Sequence, residues 1–433
     1  MPDIPQTRFG DICAESAFGP RFSSDNYAAD GNVATLRTTD MRVDGRIDYE
    51  SMPLAKLDLD PLKNHLLRRG DLCMTRTGRV GTTAVFEAFG LPVLPGAFLI
   101  RFRLKPTVAD PFYFQYFFNS PEGQRRLLAT ASGSVQQNLN ITALHEVLVP
   151  LPPLVEQEEI AGVLRSLDDK IEQNRRTGRA LEALTRATFK AWFVDFEPVK
   201  AKAAGAASFP GIPHAAFAAL PGGLADSPLG PVPHGWAVGK LGSHCGINQR
   251  SVRAGQIDGE IEYIDIASVT VGRLDGVQRV PFAEAPSRAR RQVRHGDTIW
   301  SCVRPNRRSY LFIHSPPESW IVSTGFAVLS PASFGPSYLH ELTTRQEFVD
   351  YLVANADGSA YPAVRPDHFA RADVLVPPAE LRDAFEEVTM PLRNLLAAGE
   401  AESSTLATLR DYLLPRLLSG RVRVRPSRAG AKG

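Results

Sequence analysis

The feature that most limits how this chain can fold is that it is written twice. Residues 147–160 read VLVPLPPLVEQEEI, and residues 374–385 read VLVPPAELRDAF. A shift of 225 positions carries Pro152 and Pro153 onto Pro377 and Pro378. The same shift lays PFYFQYFFNSPEGQRRLLATA (111–131) over PSYLHELTTRQEFVDYLVANA (336–356). Apolar residues recur at helical spacing in both, so each reads as one amphipathic helix. Gly70-Asp71 falls on Gly296-Asp297 at a shift of 226, and Arg8-Phe9-Gly10 resembles Lys240-Leu241-Gly242 at 232. The drift in offset means small insertions inside equivalent units. Two long repeats are two homologous halves, since a solenoid needs several short ones.

Each half reads as a globular unit followed by a long helix. ATLRTTDMRV, DLCMTR, TTAVF and FLIRFRL have strand composition in the first half, as do YIDIASVTV, DTIWSCV, SYLFI and FAVLS in the second. The proline pair ends the last strand and launches the helix, because proline suits a first helical turn but not a helix interior. The expected order is a globular unit over 1–154, a helical segment over 155–200, a connector over 201–228, a second unit over 229–378, a helical segment over 379–420 and a basic, disordered tail over 421–433.

The helices carry an apolar seam. In the first it comprises Ile160, Leu164, Leu167, Ile171, Leu181 and Leu184, faltering at Asn174 and Gly178. In the second it comprises Phe385, Val388, Leu392, Leu396, Leu406, Leu409 and Leu413, faltering at Gly399 and Glu402. A helix of about 38 residues is ~57 Å long. A unit of about 150 residues is only ~30–40 Å across, so the helix overhangs it. The nearest partner for the overhanging seam is the equivalent helix. The Ala/Gly/Pro-rich stretch 201–231 reads as a surface connector that lets the two pair antiparallel. The fold class that follows is α+β: two homologous mixed α/β units separated by two long antiparallel coiled-coil helices, with a pseudo-twofold internal repeat.

Composition excludes several classes. No stretch approaches 18 apolar residues and the N-terminus has no apolar h-region, so neither a membrane span nor a secretion signal is expected. Cys13, Cys73, Cys245 and Cys302 lie far apart, which argues against disulfides and structural zinc and fits a reducing cytoplasm. There is no G-x-x-x-x-G-K-[ST] loop, no G-x-G-x-x-G, and no Asn/Asp-Pro-Pro-aromatic motif; the nearest string is SPPE at 315–318. Asp168-Asp169-Lys170 on the first helix reads as a solvated face, and His244-Cys245 as structural. The net charge of +2 neither announces nor excludes a nucleic-acid partner, because phosphate contacts depend on local arginine clusters.

VPLPPLVEQEEIAGVL, FKAWFVDFEPV and LRDYLLPRLLSG closely resemble the conserved segments of type I restriction-modification specificity subunits, and PLGPVPHGW (228–236) resembles the start of a second target-recognition domain. The resemblance runs from the first globular unit to Gly420. It implies that each globular unit reads one half of a split double-stranded DNA sequence. It implies that the helices set the gap between the halves and dock two copies of the modification methyltransferase subunit, which a motor-nuclease subunit joins. It also implies a chain without catalytic residues or cofactors of its own, with S-adenosylmethionine, ATP and magnesium on its partners.

Base readout needs directed donors and acceptors, Arg for guanine and Asn or Gln for adenine, and phosphate contacts use Arg, Ser and Thr. Two loops in each unit offer such groups. In the first unit, TRTGRVGTT (75–83) has Arg76, Thr77 and Arg79, and GSVQQNLN (133–140) has Ser134, Gln136, Gln137 and Asn138. In the second, CVRPNRRSY (302–310) has Arg304, Asn306, Arg307 and Arg308, and GSAYPAV (358–364) has Ser359 and Tyr361. Two other readings compete: a coiled-coil adaptor with two protein-binding heads, and a self-contained methyltransferase or nuclease, which the missing motifs disfavour.

Overall fold

A computed structural model describes residues 4–131, 138–253, 255–358 and 361–424. The chain forms two units. The first comprises Met1–Gln173 and Glu402–Gly433, and the second comprises Asn174–Ala401. The long helices, Leu154–Phe193 and Ala379–Leu418, are therefore each shared between the units.

Among the described residues, the first unit is built on a four-stranded antiparallel sheet in the order Cys13–Phe18, Leu99–Leu104, Leu72–Thr75, Thr83–Val85. A smaller sheet orders Leu54–Ala55, Val33–Leu36 and Val93–Pro95, the last two parallel. Gln6–Arg8 pairs with Leu148–Pro150 beside the helix start. The second unit repeats this order: Cys245–Ile247, Phe326–Pro331, Thr298–Ser301, Tyr310–Phe312 in one sheet. Its other sheet orders Gln278–Pro281, Glu260–Ile264, Trp320–Ser323 and Ala289–Gln292, with the middle pair again parallel. Ala237–Lys240 pairs with Asp373–Val376. The repeat is thus one of topology: a shared strand order with one added strand, Ala289–Gln292.

Each expected single helix is two. Pro111–Asn119 gives way at Ser120 to Pro121–Ala129, and Pro336–Thr344 gives way at Arg345 to Gln346–Ala354. Pro121 cannot continue a helix, and the Ser120 hydroxyl accepts from Gly123 N–H at 3.1 Å to cap the next one. A Cβ at position 123 would lie 2.0 Å from the Phe117 carbonyl oxygen, so the tight corner requires glycine there.

The helix ends complete the cores. In the second unit, Phe189, Trp192 and Phe193 of FKAWF all pack edge-on against Phe385, and Phe193 packs edge-on against Tyr338 with ring centres 4.9 Å apart. In the first unit, Leu413, Leu414, Leu417 and Leu418 of LRDYLLPRLLSG join a core containing Phe9, Phe102, Phe114 and Phe118. Leu414, Leu417 and Leu418 stand 225 positions after Phe189, Trp192 and Phe193. The second helix closes at Gly420, whose φ of +68° suits glycine, while Val422 N–H donates to Arg416 O at 3.1 Å and Val424 packs on the first core. The rest of the tail, 425–433, lies outside the described residues.

Within each unit the two helix segments run antiparallel. In the first, Asp168 meets Arg410 at 2.7 Å and Lys170 meets Glu402 at 3.3 Å. In the second, Asn174 Nδ2 donates to Gly399 O at 3.3 Å, and Gly178 faces Leu396. Three readings of the helices need correction. Asp168 is not solvated: it is buried and accepts bonds from Tyr116 and Arg410. Gly178 does not break the seam, since a Cβ there would come within 2.8 Å of Leu396 Cδ1; the glycine lets that leucine approach. Leu184 and Leu409 are exposed, at 52% and 43%, and the neighbouring Thr185 and Arg410 turn inward instead. Position 185 continues the seven-residue rise from Ile171 through Gly178, so the facing stripe passes beside Leu184.

The connector is also more ordered than its composition implies. It contains the helix His214–Ala218, and Ile212, Ala216, Phe217 and Leu220 are buried in the second core. No helix among the described residues is long and apolar enough to cross a membrane.

Candidate nucleic-acid interface

The main sheet of each unit ends in a tight turn between its last two strands, and that turn carries the arginines. In the first unit, Leu72–Thr75 and Thr83–Val85 are joined by residues 76–82. Gly81 N–H donates to Thr75 O at 2.9 Å, and the Thr75 hydroxyl donates to Arg79 O. Gly78 and Gly81 have φ of +71° and +83°, which glycine adopts without strain. The turn is tied from below by Gln124 Nε2, which donates to Gly81 O at 3.0 Å.

The structure brings the two separately predicted loops of each unit together. Leu139 N–H donates to Arg76 O at 3.1 Å, which sets Asn138 beside the first arginine turn. In the second unit Val364 N–H donates to Cys302 O at 2.8 Å and Arg304 N–H donates to Pro362 O at 2.7 Å. Leu139 and Val364 correspond at a shift of 225, and Arg76 and Cys302 at 226, so the junction is part of the repeat. Ser134, Gln136, Gln137 and Ser359 lie outside the described residues.

The arginines have different surroundings. Arg76 is half-buried, its guanidinium 4.6 Å from the centre of the Phe18 ring, and its Nε is buried without a hydrogen-bond partner among the described residues. Thr77 is half-buried and Arg79 exposed. Arg304 and Arg308 both adopt left-handed backbone conformations, φ +52° and +56°, bracketing the turn Pro305–Arg307. Arg304 lies 4.4 Å from the centre of the Tyr361 ring, so two candidates from different loops stack on one another. Asn306 and Arg307 are exposed at the tip. Arg308 instead holds the turn in place: its Nη2 donates to Thr344 O at 3.0 Å and its Nη1 to Gln346 Oε1 at 3.2 Å. Those groups sit where one helix ends and the next begins.

Reading motifs left out Phe98. It is exposed, and its carbonyl accepts from Arg76 N–H at 3.0 Å. An apolar residue in PGAF gives no sign of exposure in sequence; only the turn it occupies does.

The rest of the chain offers little reactive chemistry. Burial pushes the thiols of Cys13 and Cys245 up to about 12 and that of Cys302 to about 11, so none is a ready thiolate. Among the described residues no three of His, Cys, Asp or Glu cluster in a way that could hold a metal ion.

A family model described as type I restriction modification DNA specificity domain matches residues 5–183. The chain is 23% identical over 323 residues to the type I restriction enzyme MjaIX specificity subunit of Methanocaldococcus jannaschii, covering 72% of this chain and 69% of that protein. It is 20% identical over 341 residues to the type I restriction enzyme HindI specificity subunit of Haemophilus influenzae, covering 69% and 74%. Its fold matches the crystal structure of a type I restriction-modification system S subunit from M. genitalium, with a TM-score of 0.62, 14% identity and 95% of each chain covered.

Proposed function

We propose that this chain, which belongs to the DNA specificity subunits of type I restriction-modification systems, reads a two-part DNA sequence with one half assigned to each unit. The observation that carries this reading is the pair of loop junctions. One backbone arrangement recurs in both units, yet the side chains on it differ: Arg76, Thr77, Arg79 and Asn138 in one, Arg304, Asn306, Arg307 and Tyr361 in the other. A repeated scaffold with unlike reading groups fits two independent half-sites. Family membership sets aside the coiled-coil adaptor.

Subunits of this family bind DNA and act in a complex with methyltransferase and restriction subunits. In our reading the long helices dock two methyltransferase copies in the cytoplasm. S-adenosylmethionine, ATP and magnesium sit on the partners, and this chain supplies recognition alone. Methylation sequencing of a host with and without the chain tests the proposal. A split methylated motif that vanishes with the chain supports it; an unchanged methylation pattern in a host that carries the partner subunits refutes it. The purified chain, given DNA, S-adenosylmethionine, ATP and magnesium, is expected neither to methylate nor to cleave.

A further inference from the structure

Each unit turns one aromatic ring out to solvent beside its arginine turn. Tyr361 is 69% exposed and Phe98 60%, the two most exposed aromatic side chains among the described residues. They are not equivalent positions. Phe98 takes the place of Gly325, whose carbonyl accepts from Cys302 N–H as that of Phe98 accepts from Arg76 N–H. Tyr361 stands 225 positions after Gln136. Each exposed ring thus adjoins an arginine turn, from different places in the repeat: Tyr361 through the Arg304 guanidinium on its ring, and Phe98 through its carbonyl on Arg76 N–H, while the Arg76 guanidinium itself lies over Phe18.

Both rings stand on pinned backbone. Around Phe98, Gly96 N–H donates to Leu36 O at 2.8 Å and Leu99 N–H to Gly96 O at 2.9 Å. Around Tyr361, Asp357 and Ala363 exchange two 2.9 Å backbone bonds, and Arg304 N–H holds Pro362 O. Gly358 has a φ of +91°, and a Cβ there would meet the Tyr361 carbonyl at 3.3 Å. Such a ring loses little freedom on docking. Two other exposed rings lie against neighbouring rings, Phe89 on Tyr49 and Tyr27 on Phe22, and Tyr412, with Arg416 on it, stands on the long helix Ala379–Leu418 and not at a loop junction. The Tyr361 ring has Arg304 on it, which places a cation at its side.

An aromatic ring beside a cation fits a polyanion with an apolar interior. In duplex DNA that interior is the base stack, which apolar side chains enter when a protein kinks or unstacks a step. Resting on the specificity reading above, we infer that Phe98 and Tyr361 are wedges, each entering the base stack in its own half of the target. Arg76 and Arg304 hold the adjoining phosphate or base edge. Preference at the wedged step would then follow how easily the step opens, not which hydrogen bonds it offers.

The test uses the full chain assembled with the methyltransferase subunit of its own system. The probe is a duplex bearing the mapped target, with a fluorescent base analogue placed at each position in turn. One position in each half should brighten on binding as its base unstacks. Phe98→Ala should abolish the signal in one half and weaken binding about 5- to 150-fold, the range for removing a ring that stacks on a base. Tyr361→Ala should do the same in the other half. Phe98→Leu, still an apolar wedge, should retain signal and affinity. Unfolding temperatures of the variants should match the wild type, since both rings are exposed. If both alanine variants bind and brighten like the wild type, the wedge is overturned and the specificity reading stands. If the wild type does not distinguish the target from a scrambled duplex, the specificity reading fails and takes the wedge with it.

Discussion

The Tyr116 hydroxyl donates a 2.6 Å hydrogen bond to the buried carboxylate of Asp168. The equivalent positions, 225 later, are Glu341 and Arg393, which make a buried 2.8 Å ion pair. Each unit thus has a buried polar pair at this place between its Pro111–Asn119 or Pro336–Thr344 helix and a long helix, joined in the second unit by Arg393 Nε donating to Ser337 Oγ at 3.0 Å. The chemistry has been exchanged: carboxylate on the long helix in the first unit, guanidinium in the second. Burial pushes the Glu341 carboxyl up and the Arg393 guanidinium down from their ordinary values. The two seats are therefore not interchangeable.

Breaking one partner should cost more than replacing both. Arg393→Ala leaves Glu341 buried without its cation and should lower stability by about 3–5 kcal/mol, whereas Glu341→Leu with Arg393→Met should come within about 2 kcal/mol of the wild type or exceed it. Urea unfolding of the three proteins measures this. Equal losses for the single and double changes would contradict it.

Tyr116→Glu places the residue of the second seat into the first. It sets a second carboxylate against Asp168 and should destabilise by ~3 kcal/mol or more, while Tyr116→Phe should cost only about 1–3 kcal/mol. Thermal unfolding at neutral pH separates them, and a Glu variant as stable as the Phe variant would show that the seats are not keyed.

Gln157 holds the strand-to-helix junction of the first unit. Its Nε2 donates to Pro152 O at 2.8 Å and Val108 O at 3.0 Å, and its Oε1 accepts from Asp110 N–H at 2.9 Å. Arg382, 225 positions on, donates to Pro377 O and Ser333 O, the equivalent carbonyls. Gln157→Ala should cost about 1–3 kcal/mol. Amide hydrogen exchange at Asp110 should accelerate; unchanged protection there would mean that the side chain does not fasten the junction.

Burial holds the His340 imidazole well below its ordinary 6.5, and Thr298 Oγ1 lies 3.1 Å from its Nδ1. The unfolded chain takes up a proton near pH 6.5 that the folded chain refuses. Stability should therefore fall as pH drops through that value, by up to ~1.4 kcal/mol per pH unit. His340→Asn should remove this share of the slope. Unfolding free energies of both proteins at pH 7.5 and 5.5 give the comparison, and identical slopes would dismiss the role of His340.

Arg304→Ala or Arg307→Ala should relax recognition in one half of the DNA target by ~1–3 kcal/mol and leave the other unchanged. Methylation sequencing reads both halves at once. A matching loss in both halves would rule out independent reading.

By itself the sequence determined that the chain is two homologous halves, each a mixed α/β unit with a long helix, because the 225-residue shift and the proline-pair junctions are local patterns. It also placed the arginines of both units in turns between strands, since Gly and Asn beside a strand end mark a turn. Only the tertiary structure decided which residues face inward along the helices. Leu184 and Leu409 suit a seam by composition, yet Thr185 and Arg410 occupy it, because a polar group can turn inward wherever a partner reaches it: Thr185 donates to the Leu181 carbonyl of its own helix, and Arg410 reaches Asp168 on the other helix, a partner not visible in one helix alone. The same reason hid Asp168, whose burial depends on Tyr116 and Arg410, 52 and 242 residues away. It hid Phe98 as well, because whether an apolar ring is covered or bare depends on what else folds around its turn.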